Sequence, residues 1–277
     1  MPGGRESAGG PDAAAARGSP APPGASLAGR QAVVTGAAGG IGRAISGALL
    51  AQGASVHGLD RDAAAQHGLA AQLEPTGRYR AHVIDLTDRA ACDRALAELQ
   101  ARLGGRCDIL VNNAAVNRLA SFERSDDELL DRLLATNFIA AFRLTRALLP
   151  ALRASGRACV VNVASELALV GQTGYSAYCA SKGALLAWSR ALAVELAAEG
   201  IRVNAVCPGP VDTALLQSEF DSLPDPAVAR AAELASVPLG RLGTPADIAA
   251  VVTFLAGDAG GFVTGASWSV DGGKTAR

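Results

Sequence analysis

With 277 residues, 49% of them hydrophobic, the chain is long enough for one large globular domain and short for two. Its 25 basic and 26 acidic residues leave a formal net charge of -1, without long runs of either sign. That balance argues against a nucleic-acid-tracking surface or an electrostatic membrane patch, and points to a small-molecule partner.

Residues 1–28 are dominated by Gly, Ala, Pro and Ser, with almost no large apolar side chain before Leu27. Such a segment cannot bury enough surface to offset its ordering entropy, and it reads as a disordered tail preceding one domain over 29–277. Its only apolar run, residues 13–16, is too short for the core of a signal peptide, and no later stretch reaches transmembrane length. A cytoplasmic protein is expected. From Arg30 onward, short β-branched runs alternate with longer alanine- and leucine-rich segments of helical period. Strands are expected at Gln31–Thr35, Ser55–Asp60, 80–85, Ile109–Asn112, 158–163, 202–207 and Ser267–Val270. Helices are expected near 41–52, 88–103, 126–153, 175–199 and 244–256, with a less regular region near 212–237. This alternation predicts a single α/β domain, a doubly wound parallel sheet of about seven strands with helices on both faces.

The first strand runs into Thr35-Gly36-Ala37-Ala38-Gly39-Gly40-Ile41-Gly42 and then into a helix. Glycines there let the backbone turn tightly and let a pyrophosphate approach, while the helix start supplies N–H donors. A tight turn without any ligand would look the same. Asp60 closes the second strand, 24 residues after Gly36, where a carboxylate can accept from adenosine ribose hydroxyls and repel a 2′-phosphate. It favours NAD over NADP, although a capping aspartate is the plain alternative and the adjacent Arg61 could sit on a phosphate. Asp85 stands at the next strand end, either reaching an adenine amino group or capping the following helix.

Tyr178-Cys179-Ala180-Ser181-Lys182 places a phenol and an ammonium at i and i+4 on one helix face. A neighbouring cation stabilises phenolate and lowers a tyrosine pKa from near 10 toward a working range. On spacing alone the pair could equally be a surface pair. Tyr175 has Cys179 at i+4, hence no lysine partner, and reads as a pocket wall. Five scattered cysteines, Cys92, Cys107, Cys159, Cys179 and Cys207, form no C-x-x-C pair, and His57, His67 and His82 fall outside every motif. The histidines read as structural or surface residues, the cysteines as buried thiols of a reducing compartment, and no metal is expected.

Taken together, these motifs resemble the short-chain dehydrogenase/reductase family, in its single-domain form of about 250 residues. The resemblance covers about 29–273: Thr35–Gly42 matches TGxxxGxG, and Asn112-Asn113-Ala114-Ala115 resembles its NNAG, with Ala115 in place of glycine. Asn137, Ser165 at 13 residues before Tyr178, Pro208-Gly209 and Asp271-Gly272-Gly273 follow in the family's order. It implies a Rossmann-type fold and hydride transfer between nicotinamide and a secondary alcohol or ketone. Tyr178 would be the general acid or base, Ser165 would hold and polarise the substrate oxygen, and Lys182 would bond the nicotinamide ribose. Asn137 would hold a water linking Lys182 to solvent. Cofactor contacts are implied at Gly36, Gly40, Ile41, Gly42, Asp60, Arg61, Asp85, Leu86, Asn113, Tyr178, Lys182, Pro208, Gly209, Val211 and Thr213. The substrate would lie between residues 166–172 and a lid over about 211–237. Apolar lining is expected from Leu167, Leu169, Leu215, Leu216, Phe220 and Leu223, with Glu166, Gln172, Asn117 or Arg118 as polar selectors. A homotetramer is implied, pairing the outer faces of the long helices. An NADPH-dependent 3-oxoacyl reductase is the competing reading, opposed by Asp60. A non-catalytic nucleotide sensor is a third, opposed by Ser165, Tyr178 and Lys182.

Overall fold

The computed structural model describes residues 27–276; the expected tail lies outside them, apart from its last two residues. Of these, Leu27 is fully buried in the core.

Seven short runs become strands: β1 (Gln31–Thr35), β2 (Ser55–Asp60), β3 (Tyr79–Val83), β4 (Ile109–Asn112), β5 (Cys159–Val163), β6 (Arg202–Pro208) and β7 (Ser267–Val270). They form one parallel sheet in the order β3-β2-β1-β4-β5-β6-β7. Its central strands are apolar on both faces, as Val33, Val34, Leu110, Val111, Val160 and Val161 show by their complete burial. Helices must therefore cover both sides. On one face α1 (Gly40–Ala51), α2 (Ala63–Leu73) and α9 (Pro245–Ala256) bury Ile45, Leu49, Leu69, Ile248, Val252 and Leu255 against the sheet. On the other, α3 (Arg89–Arg102), α5 (Ala140–Ser155) and α6 (Ser176–Leu196) bury Leu96, Leu99, Leu144, Leu148 and Leu196. Each such leucine contributes roughly 1.5–3 kcal/mol through removal from water. The sheet reverses its winding between β1 and β4, so the carboxyl ends of those strands open a crevice, the place where doubly wound folds hold ligands.

The expected helix over 126–153 is two helices. α4 (Asp127–Leu134) and α5 are joined by a π-helical turn, Ala135–Ile139, that contains Asn137. Hydrophobic periodicity runs through such an insertion and cannot reveal it. Residues 212–237 are more regular than expected, forming α7 (Ala214–Asp221) and α8 (Pro226–Ala235), the second begun by Pro226 under an Asp225 cap. α2 was not anticipated; its alanine-rich sequence has no clear apolar stripe, and Asp62 caps it while only Gln66 and Leu69 are buried. β3 ends at Val83, so Asp85 lies beyond the strand, accepting from the backbone N–H and hydroxyl of Thr87. His57 and His82 are partners rather than isolated residues, Nδ1 to Nε2 at 3.0 Å across β2 and β3.

Candidate active site

The crevice is a cavity of about 440 Å³ at the carboxyl ends of the strands, and its floor is the glycine turn after β1. Gly36 has φ +62°, and a Cβ there would stand 2.9 Å from the Ala114 Cα. A Cβ on Gly42 would come within 2.0 Å of the Gly36 carbonyl oxygen, so only glycine permits the turn to close on α1. The turn is locked to β4 by a reciprocal set of bonds. Thr35 Oγ1 accepts from the backbone N–H of Asn113 and of Ala114, and the Asn113 amide donates to the carbonyls of Thr35 and Gly36.

Helix α1 differs from its neighbours at its start. α2, α3, α4, α8 and α9 are each capped by an Asp or Thr side chain, whereas α1 begins after Gly39 with no side-chain cap and no acid in its first turn. Its terminal N–H donors and positive dipole end are thus left to the cavity, as an anionic pyrophosphate requires. Asp60 ends β2 beside it, with its carboxylate accepting from the backbone N–H of Ala38 at 3.0 Å and of Asp62 at 3.1 Å. The residues present fit a dinucleotide.

At the other end of the cavity, Ser165 follows β5 and Tyr178 and Lys182 rise from α6. Lys182 is 2% exposed and donates to the Val163 carbonyl at 2.8 Å; burial pushes its pKa down to about 8. Its ammonium lies 5.9 Å from the Tyr178 ring centroid. The Tyr178 phenol is driven above its ordinary value, first by burial and then by the negative charge of Glu219, while a bond with the Ser165 side chain pulls it down. The lowering anticipated from lysine spacing is therefore outweighed by burial and by Glu219.

Every implied cofactor residue, together with Ser165, Tyr178 and Lys182, lines this one cavity. Asn137 does not. It is 1% exposed, one layer behind, and its amide donates to the Val116 carbonyl and the Ser181 hydroxyl, while its oxygen accepts from the Val116 N–H. Its side chain holds the π-turn to the loop after β4 and to α6. Of the anticipated substrate contacts, Leu167, Leu215, Leu216, Phe220, Glu166, Gln172 and Asn117 line the cavity. Leu169, Leu223 and Arg118 do not line it.

Three residues escaped the sequence reading. Glu219 of α7 accepts from the Tyr175 hydroxyl at 2.7 Å and the Asn117 amide at 2.9 Å, tying α7 to the cavity wall. Glu233 of α8 and Lys274 pair at 2.5 Å, and Lys274 also pairs with Glu166 at 2.8 Å. These partners are 41 and 108 residues from Lys274 in sequence, so no local pattern announces them. All five cysteines are free; four are buried, and Cys179 is partly exposed. Among the described residues no helix is long and apolar enough to cross a membrane.

The family model described as enoyl-(acyl carrier protein) reductase matches residues 36–275. A 2-(S)-hydroxypropyl-CoM dehydrogenase of Xanthobacter autotrophicus is 38% identical over 245 residues, covering 88% of this chain and 95% of the relative. A D-threitol dehydrogenase of Mycolicibacterium smegmatis is 38% identical over 252 residues, covering 91% and 95%. A crystal structure from Beutenbergia cavernae, provisionally named as an NAD(P)-dependent gluconate 5-dehydrogenase with NADP at low occupancy, superposes with a TM-score of 0.83. It is 38% identical, and the match covers 91% of this chain and 98% of that one. With its seven-stranded Rossmann-type sheet, glycine cradle and Ser-Tyr-Lys cavity, the chain belongs to the short-chain dehydrogenase/reductase family and is an oxidoreductase moving a hydride between nicotinamide and alcohol or ketone groups.

Proposed function

We propose that the protein is an NAD-linked dehydrogenase of a small secondary alcohol, with Tyr178 as proton-transfer residue. The observation that carries this reading is the convergence of Ser165, Tyr178 and Lys182 on a single cavity with the uncapped start of α1. Nicotinamide supplies the hydride acceptor in oxidation and the donor in reduction when it is bound. Tyr178 takes the substrate proton at its phenolic oxygen in oxidation and returns it in reduction. Ser165 donates its hydroxyl to the substrate oxygen, stabilising the charge that develops there. Lys182 spends one N–H on Val163 and keeps two donors for the nicotinamide ribose. Because burial and Glu219 hold the phenol protonated, deprotonation in the oxidative direction depends on the positive charges of Lys182 and of oxidised nicotinamide. Asn137 acts as a positioning residue through Val116 and Ser181.

Asp60 supports the preference for NAD, since a carboxylate lining the cavity at the end of β2 would accept from ribose hydroxyls and repel a 2′-phosphate, against the pull of the adjacent Arg61. The free cysteines fit a cytoplasmic setting. A homotetramer is supported by the apolar side chains that α5 and α6 present outward, Phe142 at 38% and Val194 at 81% exposure. The test is Tyr178→Phe. It should cut turnover of an identified alcohol by about 10²- to 10⁴-fold while leaving NADH binding, read by fluorescence, intact. Unchanged turnover would overturn the assignment.

A further inference from the structure

Around the substrate end of the cavity the charges are one-sided. Glu166, Glu219 and Glu233 all line it together with Ser165 and Tyr178. Lys274 meets this group from outside the lining, and its ammonium is saturated: it donates to Glu166 Oε1 at 2.8 Å, Glu233 Oε1 at 2.5 Å and Gln172 Oε1 at 3.5 Å. Lys182 gives one N–H to the Val163 carbonyl and directs its other two to the nicotinamide ribose, and Arg61 lines the opposite, Asp60 end. Among the described lining residues no cation is free to receive a substrate anion.

Acceptors, by contrast, are in excess. Glu166 directly follows the catalytic serine and is 4% exposed, yet its Oε2 is buried with no hydrogen-bond partner. A carboxylate oxygen accepts and, when ionised, cannot donate, so a buried one without a donor is a cost that a ligand donor recovers. Glu219 already receives one bond on each oxygen, from Asn117 and Tyr175, and retains further lone pairs toward the cavity it lines. Burial raises the pKa of Glu166 and of Glu219, the mark of carboxyl groups held in a poorly hydrated site.

We infer that this end of the cavity selects an uncharged polyol, oxidised at one carbinol while a second hydroxyl donates to Glu166, and that it excludes hydroxy acids. A substrate carboxylate, sulfonate or phosphate would meet three carboxylates and no free cation. A substrate ammonium would satisfy Glu166 but would face the Lys274 ammonium on the same carboxylate. A hydroxyl supplies the missing donor without either repulsion. The inference rests on the dehydrogenase reading above and extends it to the class of substrate.

The experiment measures kcat/KM of the full chain with NAD+ on matched four-carbon compounds: 2,3-butanediol and the tetritols, 2-butanol, 3-hydroxybutyrate and an amino-2-butanol. The diol or a tetritol should exceed 2-butanol and the amino alcohol by about ten- to hundredfold, carried in KM, with the hydroxy acid lowest. Glu166→Gln removes a charge and turns the free acceptor into a donor, so it should raise the ratio of hydroxy acid to diol by at least about tenfold. The wild-type ranking stands by itself if that variant fails to fold. Equal use of 2-butanol and the diol, or preference for the hydroxy acid or the amino alcohol, overturns the inference while leaving the dehydrogenase reading intact. Absence of nicotinamide-linked turnover across the panel and across apolar alcohols and ketones removes both.

Discussion

Replacing Asp60 by asparagine separates two jobs that its carboxylate performs. One oxygen accepts from Ala38 N–H at 3.0 Å and helps hold the glycine turn, and the other accepts from Asp62 N–H at 3.1 Å. Asparagine keeps one oxygen for the turn but loses the charge. Two unit charges about 4 Å apart interact by about 1 kcal/mol in bulk water and about 4 kcal/mol at the effective dielectric of a protein surface. A 2′-phosphate carries about -1.5 to -2 charges. For a partly exposed site, Asp60 should therefore cost NADP+ about 2–4 kcal/mol, roughly 30- to 1000-fold in affinity. NAD+ loses a charged acceptor for its ribose in the variant, about 1 kcal/mol or fivefold. Titration of NADH and NADPH by fluorescence, with kcat/KM for both oxidised forms, should show the ratio moving toward NADP by at least about 30-fold. Low salt should enlarge the change, because the phosphate repulsion is screened. A ratio that stays within about threefold of wild type would refute the idea that Asp60 charge sets the cofactor preference.

Two glycines of α1 should respond oppositely to alanine. A Cβ on Gly42 meets the Gly36 backbone at 2.0 and 2.8 Å with no flexible side chain to yield, so Gly42→Ala should cost about 3 kcal/mol and weaken NADH binding. Gly47 has nothing within 4 Å of its added Cβ, so Gly47→Ala should gain about 0.5–1 kcal/mol in urea unfolding at unchanged activity. The His57–His82 pair predicts acid sensitivity. Burial, aided by His82, Arg80 and Arg102, pushes the His57 pKa down to about 4, so the fold favours its neutral form. Its contribution is present above pH 6.5 and is lost as pH falls toward 4, by about 2–4 kcal/mol. Urea midpoints at pH 7.5 and 4.5 should differ less in His57→Gln than in wild type.

Local chemistry made much of this legible in advance. Periodicity two against 3.6 separates strands from helices, and a strand as apolar as Cys159–Val163, interrupted only by Asn162, fits a sheet covered on both faces. The glycine turn, Asp60 and the Tyr178–Lys182 spacing are short-range patterns whose meaning is contained in a few neighbouring residues. Where the local pattern was weak, it failed: α2 carries no apolar stripe, and the π-turn at Asn137 is held by Val116 and Ser181, neither of which is close in sequence.

The sequence by itself determined the parallel α/β architecture, the glycine turn and the Tyr178–Lys182 spacing, because each depends on residue order along one strand or helix. Only the tertiary structure decided the electrostatics of the cavity. Glu166, Glu219, Glu233 and Lys274 come from the loop after β5, from α7 and α8, and from the segment after β7, and they meet only when those pieces pack. The same packing buries Tyr178 beside Glu219 and raises a pKa that the lysine spacing alone would have lowered. Charge interactions act through space and vary with burial, so their sum is fixed by the folded arrangement and not by the order of residues.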